Sequence, residues 1–551
     1  MKTIQLRMNG NTKTVNVHSR VCDALTAFDI EPELPVIGAL HNNFLKGLNA
    51  SLSTNGDLQA IRLDSSLGHR IYRKSLCFLL NLAAQRIFST EIPRISHSLG
   101  DAYFFYLPGN GSIGKSQIQE LKAEMQKLVQ ADLPIQPQTL SFQQALDVFD
   151  KPSREETRQL IQQGNQRKVN CQECDGFFDL DHFPLVPRTG MLSTWDIMQH
   201  KHGLVLQFPP KDLPLSLQPL HEKPLLFSIF QEYNEWGRIL GVPNLPQLNQ
   251  LAKTEEIGHF IAVAEALHDK KLSALADQIA AKRDQTRIVL IAGPSSSGKT
   301  TFSKKLAIHL EVVGFRPRVI SLDNYFVPRH LTPRDENGEY NFEALEAIDI
   351  ALLNEHLLDL ANGKEVELPI FDFKIGGRKE SGIQMKMEPN DIIIMEGIHG
   401  LNPALLPRIP KEQIFKIYIS ALTQLNIDTH NRISTTDNRL IRRIVRDAKY
   451  RGYSAELTLQ RWPSVRRGES ENIFPFQESA DAFFNSALDY ELSVLGNYAL
   501  PLLRDVSPCS PEFAQAAILI DFLQKFHPIL PEKVPRFSLL REFIGGSGFS
   551  Y

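Results

Sequence analysis

A chain of 551 residues is too long for one ordinary domain and suggests about three or four. With 42% apolar and 22% charged residues it has the makeup of a soluble globular protein with sizeable cores, while a net charge of −3 argues against a dominant nucleic-acid-binding surface. Five cysteines make no disulfide framework and suit a reducing compartment. The first residues, MKTIQLRMNG, have no signal-peptide core, and the apolar run at 76–84 is far too short to span a bilayer and contains Asn81. A cytoplasmic protein without membrane contact is therefore expected.

In chain order, 3–8 and 14–17 alternate polar and apolar around an Asn-Gly-Asn turn, which predicts a hairpin. A short helix near 22–28 and strand-like pieces at 35–40 and 58–63 complete a small β-rich domain over 1–62. Helices are expected at 70–88 and 116–131 within a second, α+β region over 63–205. Residues 206–249 are rich in proline (Pro209, Pro210, Pro214, Pro219, Pro224, Pro243, Pro246), and 255–282 keeps a helical period. Together 206–283 reads as a connector. Cys171 and Cys174 form a C-x-x-C without a second ligand pair in the chain, so they are read as two reduced thiols in a loop.

The chemistry is concentrated after residue 284. A strand-forming run at 288–292 reaches Gly293-Pro294-Ser295-Ser296-Ser297-Gly298-Lys299-Thr300-Thr301, which fits G-x-x-x-x-G-K-[ST]. Gly293 and Gly298 let the backbone curl so that successive N–H groups face phosphate oxygens. The following helix brings its positive end to the same anion. Lys299 is expected to reach the outer phosphates of ATP, and the Thr300 hydroxyl to bind Mg²⁺. A second buried strand, 318–322, ends in Asp323, where a carboxylate can orient an acceptor hydroxyl and take its proton. A third, 391–395, ends in Glu396, a candidate Mg²⁺ ligand acting directly or through water. A fourth, 414–419, completes the expected parallel set, so a P-loop α/β sandwich is predicted. At helical spacing, Arg439, Arg442, Arg443 and Arg446 lie on one broad face, read as a lid that brings arginines to the transferring phosphate.

Two resemblances add to this. The segment from about 284 to 500 resembles the uridine kinase/phosphoribulokinase family through GPSSSGKTT, SLDNYF, YNFEALEAID, LPIFDFKIGGR, DIIIMEGIHGL, RLIRRIVRD and ESADAFFNSA. The resemblance implies an ATP- and Mg²⁺-dependent kinase with Asp323 as general base. Tyr325, Glu343, Phe371, Asp372, Arg378 and Arg443 would then line the acceptor site, and Arg442 and Arg446 would serve the phosphate. Gly376 stands where uridine–cytidine kinases place a base-contacting histidine, and Glu396-Gly397-Ile398-His399 echoes the phosphoribulokinase wording. The acceptor implied is a nucleoside 5′-hydroxyl, with another sugar or sugar phosphate as the alternative.

The front of the chain resembles threonyl-tRNA synthetases: 1–62 a ubiquitin-like (β-grasp) TGS domain, 63–205 the editing-type second domain. The positions aligned with that family's metal ligands are Lys74, Phe78, Asp181 and Leu185, which cannot replace imidazole or thiolate. A fold without the hydrolytic site follows, acting as a binding or regulatory module. A tRNA- or ribosome-associated nucleotide switch, with RNA bound by this half, is the reading of a different kind. A homo-oligomer is in keeping with the kinase resemblance. The remaining 500–551, with its Gly-rich end, is expected to form a flexible tail or to close against the kinase domain.

Overall fold

A computed structural model describes residues 2–550 except 29–32, 89–91, 108–112, 221–226, 228–235, 238, 335–337, 339 and 373–374. Pro224 of the connector and Lys374 of the acceptor stretch lie outside the described residues.

The first sheet combines β1 (Thr3–Met8), β2 (Asn11–Asn16), β3 (Val36–His41), β4 (Phe44–Gly47) and β5 (Gly56–Arg62), in the order β2-β1-β5-β3-β4. Ile4, Leu6 and Met8 of β1 point inward on alternate positions and pack with Val21, Ala24 and Leu25 of α1 (Val21–Thr26). β4 is an addition to the expected elements; with only four residues it leaves no long alternating pattern.

A long helix, α2 (Ser66–Ile87), is capped by the Ser65 hydroxyl, which accepts from the Gly68 amide at 3.0 Å. It packs against α3 (Lys115–Ala131) and a sheet of β6 (Arg94–Ser98), β7 (Ala102–Tyr106), β11 (Asp196–His200) and β12 (Gly203–Gln207). A separate three-stranded sheet, β10-β9-β8, is formed by β8 (Gln136–Ser141), β9 (Lys168–Cys174) and β10 (Phe177–Leu180), with α4 (Phe142–Val148) and α5 (Glu155–Gly164) against it. Cys171 and Cys174 are on β9 rather than in a loop. Their spacing of three puts them on opposite faces, Cys171 in one apolar cluster and Cys174 in another. Burial pushes both thiols up, to about 12 and about 11. Among the described residues no cluster of three or more His, Cys, Asp or Glu is arranged to hold a metal ion. Lys74 and Phe78 are spent on packing: the Lys74 ammonium donates to Asn431 Oδ1 at 3.0 Å, and Phe78 stands edge-on to Phe177.

The connector contains α6 (Leu245–Leu251) and leads into α7 (Ile257–Ala280). The C-terminal half of α7 is more than a linker. Leu272, Leu275, Ala276 and Ile279 form one core with Phe302, Leu306 and Leu310 of α8 (Lys299–Val312). This layer covers one face of a parallel sheet in the order β14-β19-β13-β20-β21, made of β13 (Ile288–Ala292), β14 (Arg316–Ser321), β19 (Asp391–Glu396), β20 (Ile414–Ser420) and β21 (Ala482–Asn485). Val289 and Ile291 face that layer. Ile288 and Leu290 face the opposite one, where Leu353, Leu357 and Leu360 of α9 (Ile350–Ala361) pack. Burial on both faces explains why β13 and β19 read as continuous apolar runs. The parallel set thus has five strands rather than four; AFFN at 482–485 is the addition. Two short antiparallel pairs lie beside it, β15 (Val366–Leu368) with β18 (Ile383–Met385) and β16 (Phe371–Asp372) with β17 (Gly377–Arg378).

After β20 the chain enters the front half before it forms α10 (Thr435–Arg451). Asn426 donates to the Ile95 carbonyl at 2.9 Å, His430 meets Asp179 at 2.8 Å, and His182 meets Asp428 at 3.3 Å. α11 (Ala455–Asn472), α12 (Glu491–Arg504) and α13 (Phe513–Leu523) complete the helical side, and the last turn, α14 (Arg541–Ile544), is buried against α10. The end of the chain closes on the P-loop layer; Leu539 belongs to the same core as Phe302.

Candidate active site

Parallel register sets the strand ends side by side. Glu396 is level with Ser321 on one side and with Ile291 on the other, and Gly293 follows one residue after β13. The P-loop turns sharply there. A Cβ on Gly293 would stand 2.0 Å from the Ile419 carbonyl oxygen, so the first motif glycine is required by close approach to β20. Gly298 has φ +86° and Ser296 φ +59°, the left-handed turns that curl the loop onto α8. Such a cradle, with a helix N-terminus behind it, fits the phosphates of ATP.

The Lys299 ammonium rests on its own loop, donating to the carbonyls of Gly293 at 2.9 Å and Pro294 at 3.2 Å. Burial lowers its pKa, opposed by the charges of Glu396, Asp323 and Glu542. The Thr300 hydroxyl donates to Glu396 Oε1 at 3.5 Å, and the Ser321 hydroxyl to the same oxygen at 3.3 Å. Burial, and then the charge of Asp323, push the Glu396 carboxyl up to about 7. Hydroxyl and carboxylate oxygens are hard donors, so Thr300 and Glu396 suit Mg²⁺. Asp323 follows β14 in a short turn. It is reachable by solvent yet surrounded by protein, as at the floor of a cleft, and the ammonium of Lys299 and guanidinium of Arg446 act on it. Desolvation raises its pKa. Burial pushes the Glu343 carboxyl up to about 7, opposed by the charges of Arg443 and then Lys299.

Several expected residues stand elsewhere. Tyr325 is fully buried under the sheet, its hydroxyl 3.2 Å from His356 Nδ1, so it does not line the acceptor space; the short turn after β14 sends Asp323 and Tyr325 to different sides. Arg378 pairs with Asp349 at 3.0 Å, and Phe371 packs on Phe326. The Asp372 carboxylate accepts from the Ile375 amide at 3.3 Å and closes the turn at Gly376.

The arginine helix differs most. It is a brace behind the P-loop rather than a lid. Arg439 donates to Glu469 Oε2 at 2.8 Å and to the Ser295 carbonyl at 3.1 Å. Arg442 is fully buried, and its five N–H groups are all taken: by both contacts to Glu491, by the Ser296 carbonyl at 3.3 Å, and by the Ser486 hydroxyl at 3.2 Å and carbonyl at 2.8 Å. None is left for a phosphate, which corrects its expected catalytic role. The physical reason is that a guanidinium inside the core demands carboxylate and carbonyl partners. Arg443 donates to the Ser295 hydroxyl at 2.7 Å, and Arg446 alone of the four turns to the acidic side of the cleft, 3.2 Å from Glu542. Thr301 is closed: its amide and hydroxyl both donate to Glu542 Oε2, at 3.1 and 2.8 Å.

Sequence reasoning missed Glu469, Ser486, Glu491 and Glu542. Glu469 also accepts from the Ser295 amide at 3.0 Å. The one available signal was electrostatic: four arginines interleaved with Leu440, Ile441, Ile444 and Val445 on one helix need acids from elsewhere in the chain once that helix is buried.

Residues 288–493 match the sequence profile of the Phosphoribulokinase / Uridine kinase family. The chain is 35% identical over 198 residues to the uridine kinase of Staphylococcus aureus strain JH9, covering 36% of this chain and 86% of that one, and the figures are the same for strain Newman. Among solved structures it resembles one from Bacillus stearothermophilus described as a "possible uridine kinase", with 24% identity, 27% of this chain and 79% of the other covered, and a TM-score of 0.24, too low to carry an argument. With a relative matched over most of its length at this identity, the chain belongs to the phosphoribulokinase/uridine kinase family.

Proposed function

We propose that the chain transfers the γ-phosphoryl group of ATP to a nucleoside 5′-hydroxyl, with uridine or cytidine as the acceptor. The observation that carries this reading is that the charges of Lys299 and Asp323 act on each other at the carboxyl ends of β13 and β14, the two strands that flank β19 in one parallel sheet. The P-loop amides and Lys299 would hold the triphosphate. Asp323 would orient the acceptor hydroxyl and receive its proton as the bond to phosphorus forms. Its desolvated carboxyl is a better proton acceptor than an ordinary aspartate, since its pKa is raised. Thr300 and Glu396 would hold Mg²⁺, which when bound neutralises charge on the phosphate oxygens. Arg446 would stabilise charge that develops during transfer, and Glu343 and Arg443 would contact the acceptor. Incubation with ATP, Mg²⁺ and separate nucleosides, followed by product analysis, tests the reading. A nucleoside monophosphate is expected.

A second reading, a kinase for a sugar phosphate, is favoured by one contact. A Cβ on Gly376 would stand 2.9 Å from the Arg329 guanidinium carbon, so a cation covers the position of the base-contacting histidine. An anionic acceptor would suit that cation. Sugar phosphates therefore belong in the same panel. The two front regions, 1–62 and 63–205, are proposed as a β-grasp and an α+β module that regulate the kinase without hydrolytic chemistry.

A further inference from the structure

The carboxylate of Glu542 holds the position that a nucleotide phosphate needs. It accepts from both the amide and the hydroxyl of Thr301, in the first turn of α8, and pairs with Arg446 at 3.2 Å. A helix N-terminal amide, a hydroxyl and a guanidinium are the donor set that binds phosphate oxygens. Here an anion of the chain itself fills it. The occupant is not a stray surface side chain. Glu542 is 3% exposed and Thr301 not at all. The flanking Leu539, Leu540 and Phe543 are fully buried. Lys449 of α10 donates to the Ile544 carbonyl at 2.8 Å and fastens the end of the turn.

We propose that the turn around Glu542 is an autoinhibitory plug of the P-loop: nucleotide enters only when its phosphate displaces this carboxylate from Thr301. This rests on the reading that the P-loop takes a triphosphate. An anion tethered within the same chain competes at a high effective concentration, so the plug lowers apparent nucleotide affinity without altering the cradle. It also gives the front half a route to the site. The loop at 426–432, gripped by Ile95, Asp179 and His182, runs directly into α10, which carries both Arg446 and Lys449.

The test is ATP binding in Mg²⁺ buffer without acceptor, by calorimetry, on the full chain and on Glu542→Gln. The amide keeps shape and an acceptor oxygen but removes the charge. Affinity at least fivefold tighter in Glu542→Gln is expected. Because a buried substitution can disturb folding, hydrogen exchange of residues 536–546 is also followed in the unaltered chain with and without ATP, where faster exchange at saturation is expected. Equal or weaker ATP binding by a folded Glu542→Gln, or ATP saturation that leaves exchange of 536–546 unchanged, overturns the plug and leaves the kinase reading standing. No ATP binding by either protein overturns the reading beneath it.

Discussion

The hydroxyl of Thr300 and the carboxylate of Glu396 meet at 3.5 Å, joining the first turn of the P-loop helix to the end of the neighbouring strand β19. Ninety-six positions separate them in the chain. Parallel pairing of β13 with β19 brings them together, and the two oxygens form the edge of the cleft where a divalent cation would sit.

Glu396→Gln keeps the shape of this pair and removes its charge. Turnover is expected to fall by about 10²–10³, the range typical of losing one electrostatic contact to the reacting phosphate. The Mg²⁺ concentration needed for half-maximal rate should rise. A Mg²⁺ titration of the steady-state rate checks this, with circular dichroism as the control for folding.

Asp323→Asn is expected to lower turnover by about 10²–10³ while ATP binding stays within a few-fold of the unaltered protein. Asparagine still accepts a hydrogen bond but takes no proton. Separate measurement of ATP affinity and of turnover distinguishes this from general damage to the cleft.

Arg442 and Glu491 should behave as a structural pair. Arg442→Met strands the Glu491 carboxylate in the core and is expected to cost about 3–5 kcal/mol. The double substitution Arg442→Met with Glu491→Leu should recover much of that loss, since two buried charges leave together. Urea denaturation of the two variants measures it. A catalytic Arg442 would instead leave stability near normal and abolish turnover.

His268 gives a pH prediction. It lies in α7, 2% exposed, with Nε2 donating to the Ala487 carbonyl at 3.2 Å and Nδ1 without a partner among the described residues. Burial lowers its pKa from 6.5 to about 3. The unfolded chain therefore binds a proton that the folded chain refuses between these values. The contribution of His268 is fully present above pH 6.5 and is lost as pH falls towards 3. The slope is about 1.4 kcal/mol per pH unit, or on the order of 3 kcal/mol by pH 4.5. His268→Gln should flatten the fall in urea midpoint between pH 6.5 and 4.5; an unchanged slope would contradict this.

Much of the kinase half is legible in the residues themselves. β13 begins and ends as expected, at 288 and 292, because a parallel strand covered on both faces leaves an unbroken apolar run and the P-loop marks its end. The end of β19, and so the placement of Glu396, follows from the same rule; β14, expected as a buried strand over 318–322, is instead a partly exposed edge strand that ends at Ser321, with Asp323 two residues on. Side-chain direction after a strand follows from no such rule. Asp323 and Tyr325 are two residues apart, yet a short 3₁₀ turn puts one in the cleft and the other in the core. The arginine spacing on α10 was readable, but its meaning was not: whether a basic face meets phosphate or buried acids depends on Glu469 and Glu491, contributed by two other helices. The Thr301–Glu542 contact spans 241 positions and carries no local pattern at all. The C-x-x-C was read as two reduced thiols, and only its expected loop differs: metal-ligand spacing presumes a turn, and on the strand β9 the same spacing points the two sulfurs apart.

Phosphoryl transfer to an alcohol is decided by mass spectrometry of the reaction products. The full chain, incubated with ATP, Mg²⁺ and a mixture of nucleosides, sugars and sugar phosphates, should yield ADP and one phosphorylated acceptor, a nucleoside monophosphate, with the signal lost in Lys299→Ala. ATP hydrolysed to ADP and free phosphate, with no acceptor phosphorylated in the mixture, would contradict the account.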